Sequence, residues 1–198
     1  MNYNFFALIS RMKYIDRWAL MRNTRAENLC EHSMEVAMIA HALCTIGNVR
    51  YGKKLDANKA ALIGLYHDAS EIITGDMPTP VKYFNSDLKH AYKEVEKVAD
   101  EKLLEKLPDD LRPIYDEIFS TSTEDENEKY MRKLVKAADK LSALIKCIAE
   151  LNAGNSEFRT AKESTGKAIR ALYNELPEVL DFVNEFLDSY GSTLDELT

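Results

Sequence analysis

Apolar residues recur three and four positions apart along most of this chain, a spacing that places them on one side of a helix. The spacing first predicts an amphipathic helix near the N-terminus, through Phe5, Leu8, Ile9 and Met12. A second helix is predicted to begin at Asn28, because Asn28 and Glu31 have the spacing of a capping box. Its buried side is predicted to contain Val36, Ile39, Ala40, Leu43 and Ile46.

The next predicted helix begins at an N-cap residue, Asp56, and continues without a break through residues 57–72. Two prolines and a glycine in residues 75–80 cannot continue a helix, so they predict a loop. A long charged helix is then expected over residues 86–107. Pro108 suits the first turn of the helix that follows.

In the second half of the chain, Thr123 and Glu126 have the spacing of another capping box. The helix that they begin is expected to reach Ala153, with Gly154 as its C-terminal cap. Two further helices are predicted at the C-terminus, with Pro177 near the start of the second. We find no alternating run of useful length for a strand and no internal repeat. The pattern therefore predicts an all-α helical bundle that forms one domain over residues 1–198.

Composition narrows the possible partners. With 198 residues, 45% of them apolar and 30% charged, the chain resembles an ordinary globular protein. Its net charge of −7 leaves no broad cationic surface, which excludes a nucleic-acid polymer but not a small phosphorylated ligand. No apolar run approaches the ~20 residues of a membrane span, so no membrane partner is expected. The three cysteines have no metal-binding spacing; we interpret Cys30, Cys44 and Cys147 as buried thiols in the cytoplasm.

The pair His67-Asp68 is the strongest candidate for chemistry, because His32 precedes it and Asp139 follows it in predicted helices. A lone His-Asp pair is commonly incidental. Together, however, two imidazoles and two carboxylates suit a divalent metal ion, and helical bundles build such sites from side chains on different helices. Glu71 lies one turn beyond the pair, where it can orient or deprotonate a water molecule.

This ordered set of His, His-Asp and Asp resembles the HD superfamily of metal-dependent phosphohydrolases. Longer segments resemble one branch of it, the bacterial YfbR-type 5'-deoxynucleotidases. The matching segments are Ile15-Asp16-Arg17-Trp18, Met21-Arg22-Asn23, Glu31-His32-Ser33, Tyr66-His67-Asp68-Ala69-Ser70-Glu71, the run from Thr74 to Asn85, and Lys136-Ala137-Ala138-Asp139. The resemblance is strong as far as Asn85 and becomes diffuse toward the C-terminus.

The resemblance implies an HD-type fold with a central metal site and an enzyme that removes phosphate from deoxyribonucleoside 5'-monophosphates. One divalent ion per chain (cobalt, manganese, zinc or similar) would be held by His32, His67, Asp68 and Asp139. Glu71, Asp76 and Arg17 match the family's catalytic residues, and Trp18 matches the residue associated with the preference for deoxyribose. The implied substrate contacts are Arg17, Trp18, His32, Asp68, Asp76, Met77, Pro78, Thr79 and Asp139. The resemblance also implies that this chain forms a homodimer, because members of that family do.

Two other functions remain open at this point. The same metal frame could serve a nucleoside triphosphohydrolase or a cyclic-nucleotide phosphodiesterase, although the chain offers few cations near the site for a long polyphosphate. A non-catalytic nucleotide-binding module is also compatible with such a fold. The presence of Glu71 argues against a pure binding module, because binding alone does not require a residue that activates water.

Overall fold

In the computed structural model, which describes residues 3–78, 81, 84–120 and 122–198, the regular elements are helices. The α-helices are α1 (Phe5–Ile9), α2 (Leu29–Tyr51), α3 (Ala57–Tyr66), α4 (Glu71–Thr74), α5 (Ser86–Leu104), α6 (Arg112–Phe119), α7 (Glu126–Asn152), α8 (Arg159–Arg170), α9 (Pro177–Phe186) and α10 (Leu194–Leu197). Short 3-10 helices cover Ser10–Tyr14, Ser156–Phe158 and Leu187–Gly191. The all-α prediction is confirmed. Within the described ranges, no helix combines the length and apolar character needed to cross a bilayer.

The chain divides into two compact units. The first contains Met1–Arg22, Ala26–Ser33 and Leu65–Ser122, and the second contains Asn23–Arg25, Met34–Gly64 and Thr123–Thr198. That the whole chain forms one domain stays a prediction.

The first unit is built around an aromatic and aliphatic core. Phe5 of α1 is 1% exposed, and its ring meets that of Tyr115 edge-on, with centroids 5.1 Å apart. Around Phe5 lie Ala69, Leu103, Leu104 and Leu107, with Leu8, Ile9, Tyr66, Tyr115 and Phe119 packed against them. The N-terminal apolar pattern therefore buries against α5 and α6. It does so with one short α-helix followed by a 3-10 turn, where one longer helix was predicted.

The predicted caps of α2 and α3 are present. The backbone N–H groups of Cys30 and Glu31 donate to Oδ1 of Asn28, and that of Lys59 donates to Oδ1 of Asp56. All five residues predicted for the buried side of α2 are buried. Where a helix is amphipathic and starts at a good cap, its place could be predicted from the sequence.

Several predicted helix ends are wrong. The unbroken helix over residues 57–72 ends at Tyr66, and α4 begins only at Glu71. The helix predicted to reach residue 107 ends at Leu104. Pro113 takes the first-turn position that was predicted for Pro108.

Two side chains also differ from the predictions. Asp125 is the N-cap of α7 and accepts a hydrogen bond from the N–H of Asn127, so the capping box expected at Thr123 is wrong. Cys44 and Cys147 are buried as expected, but Cys30 is exposed, because it follows the cap on the first turn of α2.

The second unit contains a buried ion pair. Nζ of Lys146 lies 2.5 Å from Oε1 of Glu150, one turn further along α7, and the two side chains are 7% and 2% exposed. Nζ of Lys146 also donates to the carbonyl of Arg25, while the N–H and hydroxyl of Thr24 donate to Glu150. The ion pair therefore holds residues 23–25 against α7.

Burial alone would raise the pKa of Glu150, but hydrogen bonds from Lys146, Thr24 and Asn155 outweigh it and hold that pKa well below its ordinary value of 4.5. The pKa is thus lower in the folded chain than in the unfolded one. The stabilisation that Glu150 provides is complete above about pH 4.5 and is lost as the pH falls toward the folded-state pKa.

We expect Glu150→Gln to lower the free energy of unfolding by about 3–5 kcal/mol at pH 7, because Lys146 then remains buried without its counter-charge. The difference from the unsubstituted protein should shrink when urea unfolding is measured at pH 5, 4 and 3. Glu163→Gln, at an exposed position on α8, is the matched control and should change stability by less than about 0.5 kcal/mol. A deficit of constant size at every pH would contradict this account.

Candidate metal centre

Three of the four predicted metal ligands lie together in the first unit. His32 is the fourth residue of α2 and is fully buried. His67 and Asp68 follow directly after α3 and are partly buried, with side chains 14% and 23% exposed. Ligand atoms of His32, His67 and Asp68 all lie within 4.8 Å of one another.

The spacing of these atoms suits a divalent ion. Nε2 of His67 lies 3.1 Å from Oδ2 of Asp68, and Nε2 of His32 lies 3.6 Å from the same oxygen. Ligand bonds of about 2.1 Å place neighbouring donors roughly 3.0–3.4 Å apart in octahedral or tetrahedral geometry. The two separations that involve Asp68 are therefore already close to those that one ion requires.

The charge of Asp68 also suits this role. Burial opposes its ionisation, but His67, His32 and Arg17 favour the charged form and hold the pKa of Asp68 well below its ordinary value. Asp68 is therefore a carboxylate at neutral pH, as a metal ligand must be.

The backbone that carries His67 and Asp68 is wound more tightly than an α-helix. Past α3, the N–H groups of Ala69, Glu71, Ile72 and Ile73 donate to carbonyls three residues back. Such winding has about three residues per turn, so neighbouring side chains lie roughly 120° apart. We predicted this pair on a regular helix. The tighter winding coincides with two short polar residues of low helix propensity, Asp68 and Ser70.

Glu71 lies directly beyond this tight turn. It is the first residue of α4, is 5% exposed, and its backbone N–H donates to the carbonyl of Asp68 at 3.0 Å. A buried acidic side chain this close along the chain to the candidate ligands is compatible with orienting or deprotonating a water molecule. That role of Glu71 stays a prediction.

Asp139 is the fourth predicted ligand. It lies in the middle of α7, in the second unit, and is partly buried. Its place in the ligand set stays a prediction.

Arg17 and Trp18 lie on a loop that backbone pairing closes. The N–H of Arg17 donates to the carbonyl of Glu27, the N–H of Leu29 donates to the carbonyl of Ile15, and Asp16 forms an antiparallel bridge with Asn28. Both residues follow an extended residue, Ile15, and lie beside the isolated Asp16–Asn28 bridge.

Trp18 adopts a backbone conformation that is rare for a large side chain. Its φ is +58°, in the left-handed region. A residue with a Cβ is disfavoured there by roughly 1–2 kcal/mol. The N–H of Trp18 donates to Oδ2 of Asp76, and its carbonyl accepts from the N–H of Met21. Backbone strain of this kind commonly marks a functional site.

The predicted substrate loop follows α4. Gly75, with φ +72°, ends that helix, and Asp76, Met77 and Pro78 are partly buried in irregular backbone. Thr79, also predicted as a substrate contact, lies outside the described residues. Burial raises the pKa of Asp76 even though Arg17 favours its charged form.

Two residues near the site were missed by sequence reasoning. Glu27 pairs with Arg17 at 2.5 Å, and the hydroxyl of Tyr92 lies 3.3 Å from that of Thr74, just before the substrate loop. Neither residue lies in a motif, and each lies in a different predicted segment from its partner, 10 and 18 residues along the chain. Only the folded backbone brings them to the site.

Comparison with known proteins finds matches over nearly the whole chain. A family model described as 5'-deoxynucleotidase YfbR-like matches residues 4–190. A 5'-deoxynucleotidase of Citrobacter koseri is 47% identical over 195 residues, which cover 98% of this chain and 96% of that protein. The 5'-deoxynucleotidase YfbR of Salmonella newport has the same identity and coverage.

Solved structures share the fold. An HD-domain phosphohydrolase from Listeria innocua has a TM-score of 0.80 and 25% identity, covering 94% of this chain and 88% of its own. A cyanophage S-2L HD phosphohydrolase, DatZ, was solved with dA and one catalytic zinc ion. It has a TM-score of 0.67 and 19% identity, covering 92% of this chain and 95% of its own, and it supports the fold alone.

We expect His67→Ala to abolish stoichiometric binding of a divalent ion, because it removes one of three donors that lie within 4.8 Å of one another. Equilibrium dialysis of metal-stripped protein against zinc, cobalt or manganese would measure the bound ion per chain. His41→Ala removes an imidazole from an exposed position of α2 and should leave binding unchanged. Retention of one ion per chain by the His67 variant would exclude this site.

Proposed function

The chain belongs to the YfbR-like family of 5'-deoxynucleotidases, and on that premise we propose how its residues carry out the reaction. The enzyme is a phosphohydrolase that converts deoxyribonucleoside 5'-monophosphates to deoxyribonucleosides and phosphate. The observation that carries the proposal is the group of His32, His67 and Asp68, whose donor atoms all lie within 4.8 Å of one another in a chain of this family.

We assign one divalent ion to His32, His67, Asp68 and Asp139. When bound, such an ion polarises a phosphoryl oxygen and makes water a better nucleophile near neutral pH. The ionised state of Asp68 and the complete burial of His32 support their part in the set. Mixed nitrogen and oxygen ligands suit manganese, cobalt, zinc or iron, so the choice among these metals is left open.

Arg17 and Glu71 take the two remaining chemical roles. The planar guanidinium of Arg17 offers a fork of N–H donors that matches two phosphate oxygens. Its favourable effect on the charged forms of Asp68 and Asp76 indicates that its charge lies near both carboxylates. Glu71 accepts a proton from the attacking water through its side-chain carboxylate. We assign to Asp76, in the substrate loop, the return of a proton to the leaving 5'-oxygen.

We assign the contacts with the deoxyribose to Trp18, Asp76, Met77 and Pro78, and Thr79 stays a further predicted contact. An indole against C2' leaves no room for water, so a ribose hydroxyl would lose its solvation without gaining a partner. The link from the N–H of Trp18 to Asp76 joins this tryptophan to the substrate loop. We further propose a cytoplasmic homodimer, which is what the resemblance to the YfbR-type family implies.

A substrate panel tests the function. Metal-stripped protein, resupplied with each ion in turn, should release phosphate from deoxyribonucleoside monophosphates faster than from ribonucleotides, deoxynucleoside triphosphates or cyclic nucleotides. Preference for a triphosphate or a cyclic nucleotide would point to one of the alternative enzymes. Nucleotide binding without any turnover would point to a binding module.

Glu71→Gln should retain the metal but lose turnover by about 10²–10⁴-fold, because the amide cannot accept the proton of water. Metal content by dialysis and kcat with dAMP, measured on the same preparation, separate the two effects. Glu101→Gln, on an exposed turn of α5, serves as the control. Normal turnover by the Glu71 variant would mean that another group acts as the base.

Sugar selectivity should depend on Trp18. Glycine is the informative replacement, because it tolerates the positive φ of this position while removing the indole. Trp18→Gly should raise the ratio of AMP to dAMP turnover by about tenfold, since water can then enter beside C2'. Trp18→Phe retains a ring and should keep most of the preference. Full deoxyribose preference in the glycine variant would move the discriminating contact elsewhere.

A further inference from the structure

Glu27 is the partner of the proposed phosphate-binding arginine. Oε2 of Glu27 lies 2.5 Å from Nη1 of Arg17, and the two side chains are only 14% and 11% exposed. An ion pair that is largely shielded from water keeps a defined geometry, unlike a pair on the open surface.

The backbone holds the same two residues together. The N–H of Arg17 donates to the carbonyl of Glu27 at 2.8 Å, and the neighbouring residues Asp16 and Asn28 form the antiparallel bridge. Arg17 is therefore tied to Glu27 both at its backbone and at the end of its side chain. A long, flexible side chain attached at both ends has little freedom to reorient.

Such a restraint matters because two other acidic side chains lie close enough to Arg17 to be affected by its charge. The charge of Arg17 favours the ionised forms of both Asp68 and Asp76. If Arg17 turned fully toward Asp68, it would occupy a candidate metal ligand, and if it turned toward Asp76 it would cover the substrate loop. A carboxylate across the Asp16–Asn28 bridge, paired with one Nη of Arg17, opposes both movements.

The indole of Trp18 limits the same group from another direction. Cζ of Arg17 lies 5.8 Å from the centroid of the Trp18 ring. This separation is within the range of a cation–π contact. The guanidinium is thus located by Glu27 and by Trp18.

We propose that Glu27 is a positioning residue, which holds the Arg17 guanidinium in the orientation that receives the substrate's phosphate. The proposal rests on the proposed role of Arg17 in binding phosphate. Glu27 acts through Arg17 alone. This distinguishes it from a residue whose ion pair only stabilises the fold around the Asp16–Asn28 bridge.

A double-mutant cycle tests this dependence. Glu27→Gln keeps the size of the side chain and removes its charge, and we expect kcat/KM for dAMP to fall about tenfold. In an Arg17→Ala background, the same substitution should change kcat/KM less than about twofold, because Glu27 then has nothing to position. Glu101→Gln is the control for loss of an acidic residue in the same unit.

The outcomes separate the two proposals. If Arg17→Ala lowers activity but Glu27→Gln does not, the role of Glu27 is excluded while that of Arg17 stands. Equal losses from Glu27→Gln in both backgrounds would show a purely structural residue. If Arg17→Ala keeps full activity, the assignment of phosphate to Arg17 fails, and the role of Glu27 fails with it.

Phosphate binding provides a readout without turnover. Trp18 is the single tryptophan of the chain and lies beside Arg17, so its fluorescence should report binding at that guanidinium. Titration of the metal-loaded protein with inorganic phosphate should give a Kd about tenfold higher for Glu27→Gln than for the unsubstituted protein or Glu101→Gln. Unchanged phosphate affinity in Glu27→Gln would overturn the proposal.

Discussion

The pairing of residues 15–17 with residues 27–29 is the constraint on which the candidate site depends. Two backbone hydrogen bonds and the Asp16–Asn28 bridge close a loop just before α2. The loop presents Arg17 and Trp18. Its last residues lead directly into the N-cap of α2 at Asn28 and so to His32. Backbone pairing, which is independent of side-chain identity, therefore fixes a proposed phosphate-binding group and a candidate metal ligand relative to each other within the first unit.

Electrostatics then give different properties to two carboxylates of that unit. Asp68 lies between imidazoles and near a guanidinium, and its pKa is held low, so it stays charged. Asp76 also lies near Arg17, but burial dominates and its pKa is raised. The same guanidinium therefore lies near two carboxyl groups whose pKa values shift in opposite directions, because burial outweighs the favourable charges at Asp76 but not at Asp68.

The parts of the fold that could be predicted are those that local sequence determines. Amphipathic spacing located the buried side of α2, and short polar residues located the caps at Asn28 and Asp56, because both effects act within a few residues. Motif spacing also brought His32, His67 and Asp68 into one hypothesis. The tight turn after α3, the left-handed backbone of Trp18 and the pairing of Glu27 with Arg17 could not be predicted, since each depends on contacts that local pattern does not encode.

The hydrogen bonds that hold residues 23–25 also have a consequence for the order of folding. Thr24 and Glu150 are separated by 126 residues along the chain. The contact between them therefore closes a loop of more than half of the chain. During synthesis the segment of residues 23–25 emerges early. Its hydrogen bonds to Glu150 can form only after α7 has been synthesised. The helices can form as they appear, whereas this segment becomes fixed only after three quarters of the polypeptide has been made.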